Sequence, residues 1–376
     1  MAIYMWRDYR IFTISWEEKS DMSSWWTYSD DAAWLTAGSW AFDDFFWYSA
    51  VLLNTSWTET ATMSQSWWVF SWWMSTLGNI TSWDNVMIKF PKRWIKMTKN
   101  WSIVTLSITD APDLEWYQYY AFNSWWQLTY QNRNSIYIWA YKWYYNWTAL
   151  KSWSGQTWVS TQNYNLPRIN YITPDYACNY AMANGSGYHA ITWYMRQYIN
   201  ALYMMKYGNP DAATVVWPWY IGWSTYQATW ATDSITSATW ATDTTKTWRI
   251  KLFWLEDRWG NLQEFVDGIE SLWWSSVKTD MWQDFASSGH IKTFDVSSIS
   301  AAHWYMSSIV WNNTWMFISS SSWWSATTYY RSQFSLWWRA YLAGVRFNWN
   351  YNWIFMTSTD SYDSTDTGIW CRLVYL

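Results

Sequence analysis

Residues 255–268, LEDRWGNLQEFVDG, contain the motif that decides the expected fold. A strand leads into this stretch from residue 249, a turn is predicted at Trp259-Gly260-Asn261, and a strand or a short helix follows. Asn261 and Glu264 lie close together after the turn. We expect their side chains to tie neighbouring loops together by hydrogen bonds to backbone amides, which is a structural role.

Two helices are predicted before this stretch. The first begins near Thr173-Pro174-Asp175, where a capping residue precedes a proline, and continues to Gly185. The second, AITWYMRQYINALYMMKYG at 190–208, repeats apolar residues at spacings of three and four and ends at Gly208. We expect this second helix to be amphipathic and to pack on a sheet, with Trp193 as a core aromatic.

Strands are predicted on both sides of the helices. Residues 1–84 contain short apolar runs separated by polar turns, with Asp30-Asp31 and Asp43-Asp44 as breaks between strands. Residues 85–100 alternate apolar and polar side chains, and the turn at Asn100-Trp101 leads into SIVTLSI as a hairpin. A further strand is predicted at 136–143. After residue 268 the chain is a series of short strands and Ser-rich turns.

The content of Trp is anomalous. The chain has 45 Trp and only 12 Gly in 376 residues, whereas glycine usually makes up about 7% of a protein. Many of these Trp residues stand where a turn ordinarily has glycine: Asn100-Trp101 and Asn348-Trp349 would each be an Asn-Gly hairpin signal. We hypothesise that most of them are glycines in the native protein, encoded by a reassigned stop codon that one variant genetic code translates as Trp and another as Gly. The alternative is a true aromatic-rich chain with a Trp-rich binding surface.

Charge and cysteine content exclude several classes. A net charge of −4 with 14% charged residues argues against a nucleic-acid-binding protein, which would have a basic face. Two cysteines, Cys178 and Cys371, do not make a disulfide framework, and we expect two buried thiols rather than a single bridge. No signal peptide is evident at the start, and no apolar run is long enough to span a membrane.

The order of these elements resembles a known fold. A two-helix block is followed by Gly260, Asn261, Glu264 and Phe265, then by LWWRAYLAGVRF at 336–347 and by GIWCRLVYL at 368–376. This resembles the C-type-lectin-like fold of formylglycine-generating enzymes, phage tail-fibre tips and the variable proteins of diversity-generating retroelements. The family has glycines where this chain has Trp337 and Trp338, as the recoding hypothesis requires. The resemblance covers about 85–376.

The strand pattern of residues 1–84 and the resemblance over 85–376 together predict an α+β protein of two parts. The first, residues 1–84, is a β-rich N-terminal region for attachment or oligomerisation. The second, residues 85–376, is a C-type-lectin-like ligand-binding domain with two helices and a short-stranded antiparallel sheet.

No catalytic, metal or cofactor site is predicted. Cys178 and Cys371 do not match the paired active-site cysteines of formylglycine-generating enzymes. His189, His290 and His303 lack partners at metal-ligand spacing, and we expect His189, just before a helix, to be a capping or core residue. No nucleophile elbow, P-loop, dinucleotide fingerprint or calcium-dependent sugar-binding loop is present.

Residues 348–367, NWNYNWIFMTSTDSYDSTDT, have the composition of a recognition surface. Tyr provides rigid contact area and Asn, Ser and Asp provide adaptable hydrogen bonds. The resemblance places the variable residues of retroelement-diversified proteins in this last stretch, so 348–367 is our candidate for variable recognition loops. The candidate ligand contacts are Asn348, Asn350, Tyr351, Asn352, Ser358, Asp360, Tyr362 and Asp363, joined by Tyr329, Tyr330 and Arg331. The alternative is an ordinary polar loop.

These patterns predict a non-enzymatic receptor-binding protein at the tip of a phage tail fibre, located on the virion or outside cells. Its partner would be a host cell-surface receptor, either protein or glycan, and we expect a homotrimer, no nucleic acid and no membrane insertion. The alternative is a variable ligand-binding protein that a host cell displays or secretes. A structural virion component and a formylglycine-type oxidase are further alternatives.

Overall fold

The computed structural model describes 22 segments of the chain. The described residues are 9–17, 26–56, 58–62, 65–66, 69–70, 84–111, 134–141, 144–145, 149–152, 179–185, 187–209, 212–215, 251–258, 263–272, 276–279, 292–295, 304–309, 319–323, 330–333, 339–343, 357–361 and 369–375. Within them helices and strands are mixed and most strand pairs are antiparallel, which confirms the α+β class.

The first sheet joins the beginning of the chain to a hairpin near residue 100. Its strands, in spatial order, are β2 (Trp26–Asp30), β1 (Ile11–Glu17), β9 (Ile103–Thr109) and β8 (Trp94–Asn100). All three pairings are antiparallel. Asn100 lies opposite Ile103, so Trp101 and Ser102 alone form the turn, and the predicted hairpin is confirmed.

The second sheet collects strands from distant parts of the sequence. In spatial order they are β13 (Tyr188–Ala190), β25 (Leu373–Tyr375), β10 (Ser135–Trp139), β7 (Asn85–Pro91), β3 (Ser49–Leu53) and β4 (Glu59–Thr62). The strand expected at 136–143 corresponds to β10. Strand β25 lies between β13 and β10, so residues 373–375 are held inside a sheet.

The first two sheets cross the expected boundary between residues 84 and 85. Strand β1 pairs with β9 along its full length, and β3 pairs with β7 from Ser49 opposite Lys89 to Leu53 opposite Asn85. The described strands of residues 1–84 therefore complete sheets that also contain strands of residues 85–376. An isolated pair of strands is only marginally stable, and here the further strands that extend β1–β2 and β3–β4 into larger sheets come from beyond residue 84.

The third sheet is built from the last third of the chain. Its strands, in chain order, are β16 (Gln263–Leu272), β17 (Ser276–Thr279), β18 (Lys292–Asp295), β19 (Trp304–Ile309), β20 (Ser319–Trp323), β21 (Tyr330–Gln333), β22 (Arg339–Ala343), β23 (Thr357–Ser361) and β24 (Ile369–Cys371). In space the order is β18-β17-β16-β22-β23-β21-β19-β20, and β24 pairs with β16. The β16–β24 and β21–β23 pairs are parallel.

Three two-stranded ribbons accompany these sheets. They pair β5 (Gln65–Ser66) with β6 (Val69–Phe70), β11 (Tyr144–Tyr145) with β12 (Leu150–Lys151), and β14 (Lys251–Leu252) with β15 (Leu255–Glu256).

A short helix, α1 (Ala41–Phe46), occupies part of the region where only strands were predicted. Asp43 and Asp44, predicted as a break between strands, lie inside this helix. Phe42, Phe45 and Phe46 are buried and recur at the three- and four-residue spacing of one helical face. The prediction of strands alone was therefore wrong here. In a helix of only six residues, the helical spacing of apolar side chains is difficult to distinguish from the apolar run of a short strand.

The predicted helix at 190–208 is confirmed as α2 (Trp193–Tyr207). The Thr192 side chain caps its start by accepting a hydrogen bond from the Met195 amide, and Gly208 ends it in the left-handed conformation. Trp193 is fully buried, as expected. The amphipathic expectation was wrong, since every residue of α2 is buried. The helix contacts α1, β1, β9 and β16, so several sides of it face protein.

The other predicted helix falls only partly within the described residues. Residues 179–182 are helical and a turn follows at 183–184, whereas the expected start at 173–175 lies outside the described segments. A further short helix, α3, spans Ala212–Val215. No helix of the described segments is long and apolar enough to cross a membrane.

Candidate functional site

Four of the eleven candidate recognition residues lie in described strands of the third sheet. Tyr330 and Arg331 begin β21, and Ser358 and Asp360 lie in β23. The other seven lie outside the described residues: Tyr329, Asn348, Asn350, Tyr351, Asn352, Tyr362 and Asp363. The backbone of the sheet therefore positions part of the candidate surface.

Residues 357–361 form an interior strand, whereas the sequence predicted recognition loops throughout 348–367. Strand β23 pairs with β22 on one side and with β21 on the other. Its sequence, TSTDS, has the polar composition of a turn, but β22 pairs with all five of its residues and β21 with Thr357 and Ser358. Tertiary pairing thus overrides the local signal, and the loop assignment is corrected for these five residues.

The strand register connects Ser358 to the Phe265 position of the sequence motif. Ser358 lies opposite Leu342, and Leu342 lies opposite Phe265. On the other side Ser358 pairs with Gln333. Because neighbouring strands are about 4.8 Å apart, the backbone of Ser358 is about 10 Å from that of Phe265. Part of the candidate surface therefore lies two strands from the motif.

The same register separates Tyr330 from Asp360. In the parallel pair β21–β23, Ser332 lies opposite Thr357 and Gln333 opposite Ser358. Tyr330 thus lies before the paired segment and Asp360 after it. The offset corresponds to about 16 Å along the strands, at about 3.3 Å per residue. A ligand that contacts both residues would have to extend along the sheet.

Glu264 is the centre of a buried ion cluster that supports this sheet. It lies near the start of β16 and is only 1% exposed. Its Oε2 atom accepts from Nη1 of Arg196 at 2.8 Å and from Nη1 of Arg258 at 3.3 Å, and its Oε1 atom accepts from Nε of Arg372 at 2.9 Å. All three guanidinium groups are buried. We call these four residues the Glu264 cluster.

The Glu264 cluster joins four parts of the fold. Arg196 comes from α2, and Arg258 follows β15. Arg258 also donates to the Arg196 carbonyl oxygen at 3.3 Å and to Oδ1 of Asn200 at 3.4 Å. The helix, the ribbon before the motif and the third sheet are therefore fastened to one carboxylate.

Arg372 attaches the C-terminal segment to the same carboxylate. It lies between β24, in the third sheet, and β25, in the second. Besides Glu264, it donates to the carbonyl oxygens of Trp139 at 2.6 Å, Ala140 at 3.2 Å and Glu256 at 2.5 Å. Residues 369–375 are thus divided at Arg372, where the chain passes from the third sheet to the second.

Burial dominates the electrostatics of the cluster. It lowers the pKa of Arg196 to about 10, an effect that the Glu264 charge partly offsets. Burial also lowers the pKa of Arg258 well below its usual value, and the positive charges of Arg196 and Arg372 act in the same direction. Three guanidinium groups are therefore buried around one carboxylate. The negative charge of Glu264 compensates each of them for the loss of hydration.

The structure revises the predicted role of the motif. Glu264 ties separate segments together, as expected, but its described partners are arginine side chains rather than backbone amides. Phe265 is buried, whereas Gly260 and Asn261 lie outside the described residues. Arg196, Arg258 and Arg372 were not among the predicted site residues. The available signal was a charged residue, Arg196, in a helix predicted to pack on a sheet, since a buried arginine needs a carboxylate.

His189 is a core residue in strand β13, which agrees with the expectation of a capping or core role. Burial lowers its pKa to about 3. Among the described residues, no group of three or more His, Cys, Asp or Glu side chains is arranged to hold a metal ion. Cys178, His290 and His303 lie outside these residues, and Cys371 ends β24.

Comparison with families of known proteins and with curated proteins identifies no relative of this chain. No model of a protein family matches the chain, and a search of curated proteins finds no significant similarity. Functional assignment therefore depends on the residues and their placement.

Proposed function

We propose that the chain is a non-enzymatic receptor-binding protein, the tip of a phage tail fibre, which presents residues 348–367 to a receptor on the host cell. The observation that carries this proposal is the position of β23. Ser358 and Asp360 of the candidate surface lie in an interior strand, two strands from β16. The Glu264 cluster fixes β16 to α2 and to the C-terminal segment.

Rigid support is the physical reason to favour recognition. A binding surface gains affinity when its contact residues are already held in place, because less conformational entropy is lost on association. Strand β23 has hydrogen-bonded neighbours on both sides. The chain around it is rich in Asn, Tyr, Ser and Asp, side chains that recognition surfaces use for adaptable polar contacts. This placement suits a C-type-lectin-like display domain.

The proposed setting is a trimeric fibre on the virion. Three copies held together would turn weak single-site contacts into firm adhesion through multivalent binding. We assign attachment and oligomerisation to residues 1–84, whose strands β2 and β4 lie at the edges of the described sheets. Edge strands offer backbone groups for pairing with another chain. The receptor would be a cell-surface protein or glycan.

A variable ligand-binding protein displayed or secreted by a host cell remains the second candidate, because the same surface would serve it. The neighbouring genes discriminate between the two: tail genes support the fibre, and a reverse transcriptase beside a near-copy of the coding region for residues 330–376 supports retroelement diversification. A structural virion component would not bind cells through these residues. Copper-dependent thiol oxidation would identify a formylglycine-type oxidase.

A cell-binding measurement tests the proposal. Fluorescently labelled full-length protein is added to cells collected from the environment in which the gene occurs. The protein bound to the cells is measured by flow cytometry. We expect the double variant Tyr351→Ala/Tyr362→Ala to lose binding by at least about tenfold, with an unchanged melting temperature. The control is Ser56→Ala/Thr58→Ala, in the exposed turn between β3 and β4, which should bind normally. Unchanged binding by the tyrosine variant would contradict the proposal.

A further inference from the structure

Two helices of the structure end in the same backbone conformation with different residues. After α2, Gly208 has φ +64° and its amide donates to the Met204 carbonyl oxygen at 2.8 Å. After α1, Trp47 has φ +47° and its amide donates to the Asp43 carbonyl oxygen at 2.8 Å. This left-handed cap is ordinarily glycine, because a Cβ atom crowds the neighbouring backbone there.

Packing does not explain the tryptophan at the end of α1. The residue is 74% exposed, so burial of its indole compensates little for the unfavourable backbone. Trp40, at the other end of the same helix, occupies the N-cap position without a side-chain hydrogen bond to the helix and is also exposed. Glycine is an accepted residue at that position too, and tryptophan is not. Only the C-terminal end of α1 has the backbone of a glycine site, because Trp40 has φ −63° and ψ −21°, a conformation open to any residue.

The hairpin between β8 and β9 repeats the pattern. Trp101 is the first residue of its two-residue turn, has φ +56° and is 92% exposed. Two-residue hairpin turns require positive φ at this position, where Gly, Asn and Asp predominate. The ribbon β14–β15 has a similar turn, in which Trp254 has φ +64° at the second position, the glycine position of an Asn-Gly turn.

Tryptophan is concentrated at positive φ. Six described non-glycine residues have such a φ, and three of them are Trp47, Trp101 and Trp254. With 45 Trp in 376 residues, chance would put fewer than one tryptophan among six. The bulk of the side chain should make it rarer still in this region. The excess follows if these positions were selected as glycine.

Other tryptophans have the properties of genuine core residues. Trp139 lies in β10 and Trp193 begins α2, and both are fully buried. Neither is among the residues with positive φ. Trp47 and Trp101 thus differ from Trp139 and Trp193 in both backbone conformation and burial. Trp254 combines a positive φ with burial and belongs to neither pair.

We infer that positions 47 and 101 carry glycine in the protein made by its source organism, whereas positions 139 and 193 carry tryptophan. The reassigned stop codon would encode the first pair and the ordinary tryptophan codon the second. The inference goes beyond the recoding hypothesis because it assigns individual positions, and it is independent of the proposed function.

Peptide sequencing by mass spectrometry tests the assignment directly. Protein is isolated from its native source and digested, and the peptides that cover positions 47, 101, 139 and 193 are fragmented. We expect glycine at 47 and 101 and tryptophan at 139 and 193. Tryptophan at both 47 and 101 would overturn the inference, as would glycine at 193.

A stability measurement tests the structural reasoning on the chain expressed with tryptophan at every position. Trp47→Gly and Trp101→Gly should raise the melting temperature, and Trp47→Ala and Trp101→Ala are the matched controls, because they remove the indole but keep the Cβ atom. We expect each Gly variant to melt about 1–3 °C above its Ala counterpart. Trp193→Gly should lower the melting temperature. Gly variants no more stable than the Ala variants would contradict the assignment of glycine sites.

Discussion

The two ends of helix α2 bury basic side chains in different ways. Near its start, Arg196 shares the fully buried carboxylate of Glu264 with two other arginines. Near its end, Lys206 is fully buried and its Nζ atom lies 2.5 Å from Oδ2 of Asp43, whose side chain is 24% exposed. The Glu264 cluster is closed to water. The Lys206–Asp43 pair is in contact with water through the partly exposed side chain of Asp43.

This difference determines how each end responds to pH. Burial lowers the pKa of Lys206 to about 8, although the Asp43 charge opposes the shift. Burial likewise raises the pKa of Asp43, with Lys206 acting in the opposite direction. The lysine can therefore lose its proton under mild alkaline conditions. Arg196, with a pKa of about 10, stays charged over the same range, so its end of the helix depends on a permanent ion cluster.

The largest expected effect is that of Glu264→Gln. The substitution keeps the shape of the side chain but removes the charge that compensates Arg196, Arg258 and Arg372. Leaving buried cations without their partner typically costs about 3–5 kcal/mol. We expect a loss of that size in the free energy of unfolding, measured by urea denaturation at pH 7.

Glu59→Gln is the matched control for this substitution. Glu59 binds Nζ of Lys89 at 2.7 Å and the Tyr137 hydroxyl at 2.6 Å, but its side chain is 28% exposed. Water can solvate the Lys89 ammonium group after the carboxylate charge is removed, so the free energy of unfolding should fall by only about 0–1 kcal/mol. Equal losses of unfolding free energy for the two variants would show that burial does not determine how much the Glu264 cluster contributes to stability.

The next effect is a change in the pH dependence of stability, tested with Lys206→Met. The folded pKa of Lys206, about 8, lies below the ordinary value of 10.5. Between these values the unfolded chain binds more protons than the folded chain, so stability rises with pH. This contribution should be about 1–2 kcal/mol between pH 8 and 9.5, at about 1.4 kcal/mol per pH unit.

Lys206→Met should remove that rise, since methionine does not titrate and fills a similar volume. The measurement is urea denaturation of both chains at several pH values up to 9.5, and the difference between the two chains cancels the partial ionisation of ordinary tyrosines, whose pKa is about 10. Arg196 provides the contrast, because its pKa of about 10 is higher than that of Lys206 and its own contribution to the rise in this window should be smaller. Identical pH profiles for the wild-type chain and Lys206→Met would contradict the depressed pKa of the lysine.

The sequence predicted α2 well because the signals for its ends are local. Gly208 ends the helix where expected, whereas its start lies at Trp193 after the Thr192 cap, three residues beyond the predicted start at 190. The turn after Asn100 is local in the same way. The ion partners of α2 could not be predicted, since Glu264 is 68 residues from Arg196 and 108 from Arg372. Which carboxylate meets which arginine depends on the packing of distant segments.

The candidate surface shows the same limit. Its composition identified residues 348–367, but the strand at 357–361 arises from pairing with β21 and β22 rather than from its own sequence. The domain division at 84/85 followed a change in composition, whereas β1 and β3 find their partners beyond it. Composition marks regions, and only long-range pairing establishes which strands share a sheet.

The smallest effect concerns the cap at the start of α2. The Thr192 hydroxyl accepts a hydrogen bond from the Met195 amide at 3.3 Å, and its backbone is extended, as an N-cap requires. Thr192→Ala should therefore reduce the free energy of unfolding by about 1 kcal/mol, and Thr192→Ser, which keeps the hydroxyl, should restore most of that loss. Urea denaturation of both variants at pH 7 measures the difference. If serine and alanine destabilise the chain equally, packing of the threonine methyl group rather than capping holds this end of the helix.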